Sequence, residues 1–118
     1  MVERLYQRLM MDVFPGAIRN DATPCEAINA FAGNIEFRSE ELHFTLPALF
    51  DFLIAQTPDW PVQDEAARHR DYLRFRKCIY RNPTNETLGQ QGAAVEIALL
   101  NEDHELTVYR LVRTHNQK

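Results

Sequence analysis

The residues best suited to chemistry are Tyr72, Arg74, Arg76 and Tyr80, which alternate with Leu73, Phe75, Lys77 and Ile79. Aromatic rings interleaved with cations on one face can stack bases and pair phosphates, as in recognition of single-stranded nucleic acid. The same pattern makes an ordinary sheet face where carboxylates stand opposite, and Glu96 in a following segment is one such carboxylate. The paired face is the preferred reading, then a protein interface, then nucleic acid. Residues 66–82 carry Arg68, Arg70, Arg74, Arg76, Lys77 and Arg81 against the single acid Asp71, a net of +5, whereas the segments before and after carry −7 and −2. With a formal net charge of −4 the chain is a negative body bearing one positive strip. A dedicated nucleic-acid binder spreads its basic character more widely, which counts against that partner.

Two side chains are candidates for acid–base work. His43 lies beside Glu41 and just before the most apolar segment, where burial would tune its proton affinity, although its alternation with Leu42 and Phe44 turns it outward. Asp51 is the lone carboxylate of that apolar segment, either a pocket acid or the position that faces water. The structural role is preferred for both, and a pocket holding either one beside a second polar group would argue for catalysis. Trp60, flanked by Pro58 and Pro61, reads as a plug over the core, with an interface anchor as the alternative.

Other combinations fail on their chemistry. His69-Arg70-Asp71 copies the catalytic triplet of protein kinases without the glycine-rich loop or the chain length of that fold. Asp103-His104-Glu105 offers three metal-ligand types, but adjacent residues in a turn do not converge, so they read as a solvated turn. Ser39, the only serine, lacks a glycine-flanked elbow, and Gly89-Gln90-Gln91-Gly92 lacks the lysine of a phosphate loop. Cys25 and Cys78 fit no zinc spacing and read as reduced, inert thiols. No cofactor and no metal is assigned.

These residues need elements to hold them. Leu5, Leu9 and Val13, flanked by Tyr6, Met10 and Phe14, have the spacing of a helix that Pro15-Gly16 ends. Thr23-Pro24-Cys25-Glu26 reads as cap, first helical residue and capping box of a second helix that stops at Gly33. Alternation at Ile35/Phe37 and Leu42/Phe44 predicts two short strands around Ser39-Glu40, and Thr45 caps an apolar helix over 46–56. After a polar connection, a period of two from Tyr72 to Tyr80 favours a long strand. A helix there would bring Arg70, Arg74, Lys77 and Arg81 within about 60° of one another but would scatter Tyr72, Leu73, Phe75 and Ile79 over two arcs. Asn82-Pro83-Thr84-Asn85 then opens a polar loop to Gly92, and Val95–Leu100 with Leu106–Val112 form a hairpin.

The expectation is a single α+β domain over residues 1–118, its antiparallel sheet made of a short N-terminal strand pair and a three-stranded C-terminal meander, covered on one face by about three helices. This element order resembles the NTF2-like superfamily of cone-shaped α+β barrels. The resemblance implies a ligand or active-site cavity between curved sheet and helices, frequent dimerisation through the sheet, and isomerases, dehydratases and binding modules among its members. No motif carries over a catalytic residue. Without an export signal or an apolar run long enough to span a bilayer, the chain reads as a soluble cytoplasmic protein. The function expected is a binding or protein-interaction module that self-associates as a homodimer and holds a small-ligand cavity. Its binding surface draws on Tyr72, Arg74, Arg76, Tyr80 and Trp60, and the alternatives are an isomerase- or dehydratase-type enzyme using His43 or Asp51, or a nucleic-acid binder.

Overall fold

The computed structural model describes residues 2–114. Its element order is α1 (Val2–Arg8), a π-helical turn (Leu9–Val13), α2 (Phe14–Ile18), α3 (Ala22–Ala30), β1 (Ile35–Arg38), β2 (Glu41–Phe44), α4 (Leu46–Ala55), α5 (Glu65–Arg81), α6 (Thr84–Gly89), β3 (Ala93–Leu99), a 3-10 turn (His104–Leu106) and β4 (Val108–Arg113). The fold is α+β, with one antiparallel four-stranded sheet in the order β1-β2-β4-β3. Ser39 and Glu40 both take positive φ, the twist that a two-residue hairpin turn needs, so β1 and β2 pair as the alternation predicts. Thr45 accepts from the Ala48 N–H at 3.3 Å and starts α4, also as predicted.

The third meander strand does not exist. Residues 65–81 are helical, so the sheet has two C-terminal strands, and the element order that resembled the NTF2-like barrel lacks one of its long strands. The helix has ordinary signals: Asp64 accepts from the Ala67 N–H at 2.8 Å, Glu65 stands in the first turn and Arg81 in the last. Its inward stripe runs Arg68, Asp71, Tyr72, Phe75, Ile79, at helical spacing, with Asp71, Tyr72 and Phe75 buried. Two polar members of that stripe are what masked the period. Asp71 accepts from Gln63 Nε2 at 2.7 Å, and Gln63 in turn accepts from Trp60 Nε1 at 3.3 Å. Trp60 is therefore the buried plug beneath the connection that leads into α5.

Other boundaries move as well. The first helical segment does not end at Pro15-Gly16 but continues to Ile18, because a π-turn shifts the hydrogen-bond register just before the proline. Asn20, at φ 61°, ends it. The second helix begins at Ala22 after Asp21, so Thr23 lies inside it and the expected capping box is not formed. Residues 84–89 of the supposed polar loop are a short helix whose Leu88 is fully buried.

The core forms where α1, the π-turn, α4 and α5 cover the sheet face carrying Ile35, Leu42, Phe44 and Leu111. Phe50 meets Tyr72 and Phe75 at ring separations of 5.5 and 5.6 Å, joining α4 to α5. A side-chain amide clamps part of each sheet edge. Asn29 accepts from the Phe37 N–H at 2.8 Å and donates to its carbonyl at 3.0 Å on β1, and Asn85 does the same for Val95 on β3, at 2.8 and 3.1 Å.

Gly16 lies where α2 packs tightly on α3, since a Cβ there would sit 2.7 Å from Pro24 Cγ and 3.1 Å from Pro24 Cβ, whereas one on Gly89 would meet nothing within 4 Å. We expect Gly16→Ala to cost about 1–3 kcal/mol by overpacking a rigid ring and Gly89→Ala to change stability by less than about 1 kcal/mol, both read by urea denaturation.

Candidate functional site

Turning α5 into a helix separates the four residues expected on one face. Tyr72, Arg76 and Tyr80 follow one another at i, i+4, i+8 along the side of α5 nearest the β3–β4 hairpin, whereas Arg74 points to the opposite, exposed side. Two of these three are already engaged. Glu105, in the 3-10 turn, accepts from the Tyr72 hydroxyl and from Arg76 Nη1 at 2.6 Å. The Arg76 guanidinium also lies 5.8 Å from the Tyr72 ring centroid, within cation–π range. Burial first, then the hydrogen bond to Glu105, holds the Tyr72 phenol well above its ordinary proton affinity. Glu105 is thus a clasp on α5 and not part of a solvated turn. Arg74 pairs with Asp71 at 3.5 Å. With these rings and guanidiniums committed, the base-stacking face drawn for a strand is not assembled.

Tyr80 closes the row and opens onto a cavity of about 370 Å³ between the end of α5, α6 and the β3–β4 hairpin. Leu9, Phe14, Phe44, Leu46 and Leu49 form its apolar floor, with Ile79, Val95 and Ile97 on its walls. Phe44 lies between Phe14 and Tyr109, with ring separations of 6.0 and 5.9 Å. The polar lining is Tyr80, Tyr109, Asn82, Thr84, Asn85, Glu86 and Glu96, and among the described residues no cationic side chain lines the cavity.

Most of these polar groups already have protein partners. Thr84 Oγ1 donates to the Ile79 carbonyl at 3.1 Å and lies 2.8 Å from the Tyr6 hydroxyl. Asn82 donates to the Cys78 carbonyl at 2.7 Å, Asn85 holds the β3 edge, and Glu96 accepts from Arg110 Nε at 2.6 Å across the hairpin. The Tyr80 and Tyr109 hydroxyls lie 3.4 Å apart, a long contact that leaves one of them free to bond elsewhere. Glu86 has no ion pair or hydrogen-bond partner among the described residues. The uncommitted polar groups of this apolar chamber are thus hydroxyls and a carboxylate.

The two acid–base candidates lie elsewhere. Asp51 is exposed on α4 and pairs with Arg68 at 2.8 Å beside a shallow depression that also touches His69 and Glu105, so its carboxylate is solvated and committed. His43 lies on the sheet face away from this cavity, in register with Glu36 and Arg110, at a depression bordered by Glu36, Arg38 and Leu106. Its side chain is only 13% exposed, Nε2 is 3.5 Å from Glu41, and Nδ1 is sealed from solvent without a partner. Asp51 is committed to Arg68 and His43 is largely covered; Glu65 and His69, which line the first depression, have no hydrogen-bond or ion-pair partner among the described residues, but the depression is open and shallow.

No protein-family model, curated protein or solved structure matches the chain. What the site can do therefore follows from its own geometry. Sequence reading missed Glu105, Tyr109, Thr84 and Glu86. Turn composition hid the first, and only a helical α5 brings the cavity walls together. Burial raises both thiols, with Asp21 adding to the effect at Cys25 and Glu3 at Cys78, which matches their reading as inert. Among the described residues no group of three metal-ligating side chains converges, and no helix is long and apolar enough to cross a membrane.

Burial, with the Tyr80 hydroxyl next, pushes the Tyr109 phenol up to about 12 from an ordinary 10.0. The folded state holds this proton more tightly than the unfolded chain, so the linked stability is complete below pH 10 and is lost as pH rises through about 12. We expect the ultraviolet tyrosinate titration to contain a late phenol in that window. Tyr109→Phe should remove it and lessen the alkaline loss of stability, the remaining loss belonging to the buried Tyr72 phenol.

Proposed function

We propose that this protein is a small-molecule binding module whose ligand occupies the cavity between α5, α6 and the β3–β4 hairpin. The observation that carries this reading is a chamber of about 370 Å³ with a five-residue apolar floor and uncommitted polar groups confined to its rim. That volume falls within the range of ordinary ligand pockets, and an apolar lining with a few orienting polar groups is their usual chemistry. The ligand is apolar in body, neutral or cationic, and donates a hydrogen bond to the Tyr80–Tyr109 pair or to Glu86. A carboxylate ligand is disfavoured, because the charges on the lining are both acidic.

The test is thermal unfolding against matched aryl-alkyl amines, alcohols and carboxylates. Binding to the folded state alone raises the transition temperature with concentration. We expect amines or alcohols to do so, carboxylates to be weaker, and Ile97→Trp at the mouth to abolish the shift. A flat response across the panel, or one that Ile97→Trp leaves intact, rejects the cavity as the site.

Self-association has a specific observation of its own. Ile97, Leu99 and Leu100 are 52%, 64% and 71% exposed on or just beyond an edge strand. Asn85 takes the outward N–H and carbonyl of Val95, and by the alternation of an antiparallel ladder the next outward pair belongs to Ile97, beyond the reach of that amide. Pairing of this edge with a second copy would make a homodimer in a reducing compartment such as the cytoplasm, where both thiols stay free. Sedimentation at micromolar concentration should give twice the monomer mass for the native chain, and the monomer mass for Leu99→Lys; a monomer in both cases removes the dimer.

A further inference from the structure

We propose that the outer face of α5 is a docking strip for an acidic peptide segment of a partner protein. Arg70, Arg74, Lys77 and Arg81 stand at spacings of four, three and four residues, a single row along the helix about 16 Å long. All four side chains are exposed. Arg74 is steadied by Asp71 at 3.5 Å, while Arg70, Lys77 and Arg81 have no carboxylate partner among the described residues.

This lack of partners is selective. Outside α5 every arginine except Arg8 pairs with a carboxylate, and on α5 itself Arg68 and Arg76 pair with Asp51 and Glu105. The chain has more acids than bases, so carboxylates are not scarce; yet only Arg74 of the row has one close by, Asp71 at 3.5 Å with Glu3 acting more weakly. Like charges three and four residues apart weaken a helix, and Arg70/Arg74, Arg74/Lys77 and Lys77/Arg81 are three such pairs in succession. A local rule broken with one of four cations compensated inside the molecule marks a surface compensated from outside it.

Charge complementarity selects the occupant. Four positive charges taken from a chain of net −4 leave the remainder at −8, so the strip is bounded by a body that repels any polyanion reaching past it. A short run of carboxylates fits within the row, because about five extended residues cover its length, and arginine pairs carboxylates in fork geometry. Nucleic acid needs rings to stack its bases, and the strip has none. Tyr72 is buried beneath Glu105, and Tyr80 turns toward Tyr109 on the cavity side. The strip and the cavity occupy different sides of α5 and are independent of one another.

The test is fluorescence anisotropy at low ionic strength with a labelled peptide of about ten glutamates, the probe standing for the acidic segment. We expect saturable binding that weakens with salt. It should fall at least about tenfold in Arg70→Glu/Lys77→Glu/Arg81→Glu, as a rim charge reversal requires, and stay unchanged in Arg38→Glu on the β1–β2 hairpin. Circular dichroism checks that the triple variant folds, and the milder Arg70→Gln/Lys77→Gln/Arg81→Gln replaces it if it does not. Absence of binding by the native chain, equal binding by the folded triple variant, or an equal or tighter affinity for a single-stranded oligonucleotide of the same charge would overturn the proposal.

Discussion

The rotational setting of α5 governs the molecule: burial of Phe75 and Tyr72 against Phe50 sets it, and Glu105 tethers the adjoining side. From the 3-10 turn between β3 and β4, one carboxylate bonds to Tyr72 and Arg76, adjacent rungs on the same side of the helix. A pair this far from full burial contributes little net stability once desolvation and screening are counted. Its effect is orientation. With Tyr72 and Arg76 held toward the β3–β4 turn, Phe75 falls onto Phe50 and Tyr80 is carried to Tyr109, which completes the cavity rim. The same rotation sends Arg70, Arg74, Lys77 and Arg81 outward.

Local order was legible wherever the chain's own neighbours decide it. The Ser39-Glu40 hairpin, the Thr45 cap, the apolar α4 and the β3–β4 hairpin all follow from pattern and turn chemistry, and they suffice for an α+β fold with an antiparallel sheet. Residues 72–80 were misread because their alternation in sequence is real. The inward stripe of α5 includes Arg68 and Asp71, each held by a partner distant in sequence or across a loop: Asp51 pairs with Arg68, and the Gln63 amide donates to Asp71. A pattern that scores only apolar residues discards those two positions and sees a strand. The Asp64 cap was the local signal that would have corrected it.

The candidate site was less legible than the fold, for a geometric reason. The floor of the cavity is drawn from the π-turn, α2, β2 and α4, and its rim from α5, α6 and the β3–β4 hairpin. No two of these contributions share a motif, and apolar residues such as Leu9 and Leu49 look identical whether they fill a core or line a chamber. The His43 and Asp51 candidates had the converse problem. A lone polar residue in an apolar context draws attention, yet its partner decides its chemistry. Asp51 has Arg68 and the solvent, while His43 is largely covered on the outer sheet face.

The two asparagine clamps show how a small sheet ends without a further strand. An amide side chain carries the same donor and acceptor as a peptide group, so Asn29 and Asn85 each satisfy one outward-facing N–H and carbonyl as a neighbouring strand would. On β1, four residues long, one clamp serves much of the edge. On β3, seven residues long, it serves only the first half, and the β-bulge after Ile97 turns Leu99 to the face of Val108, opposite the cavity. Asn85 also belongs to the cavity rim. The closed part of that edge is therefore the part that shapes the chamber, and the open part is where the apolar surface of β3 meets solvent. The end of one strand thus combines a wall that must stay in place with an edge still able to pair.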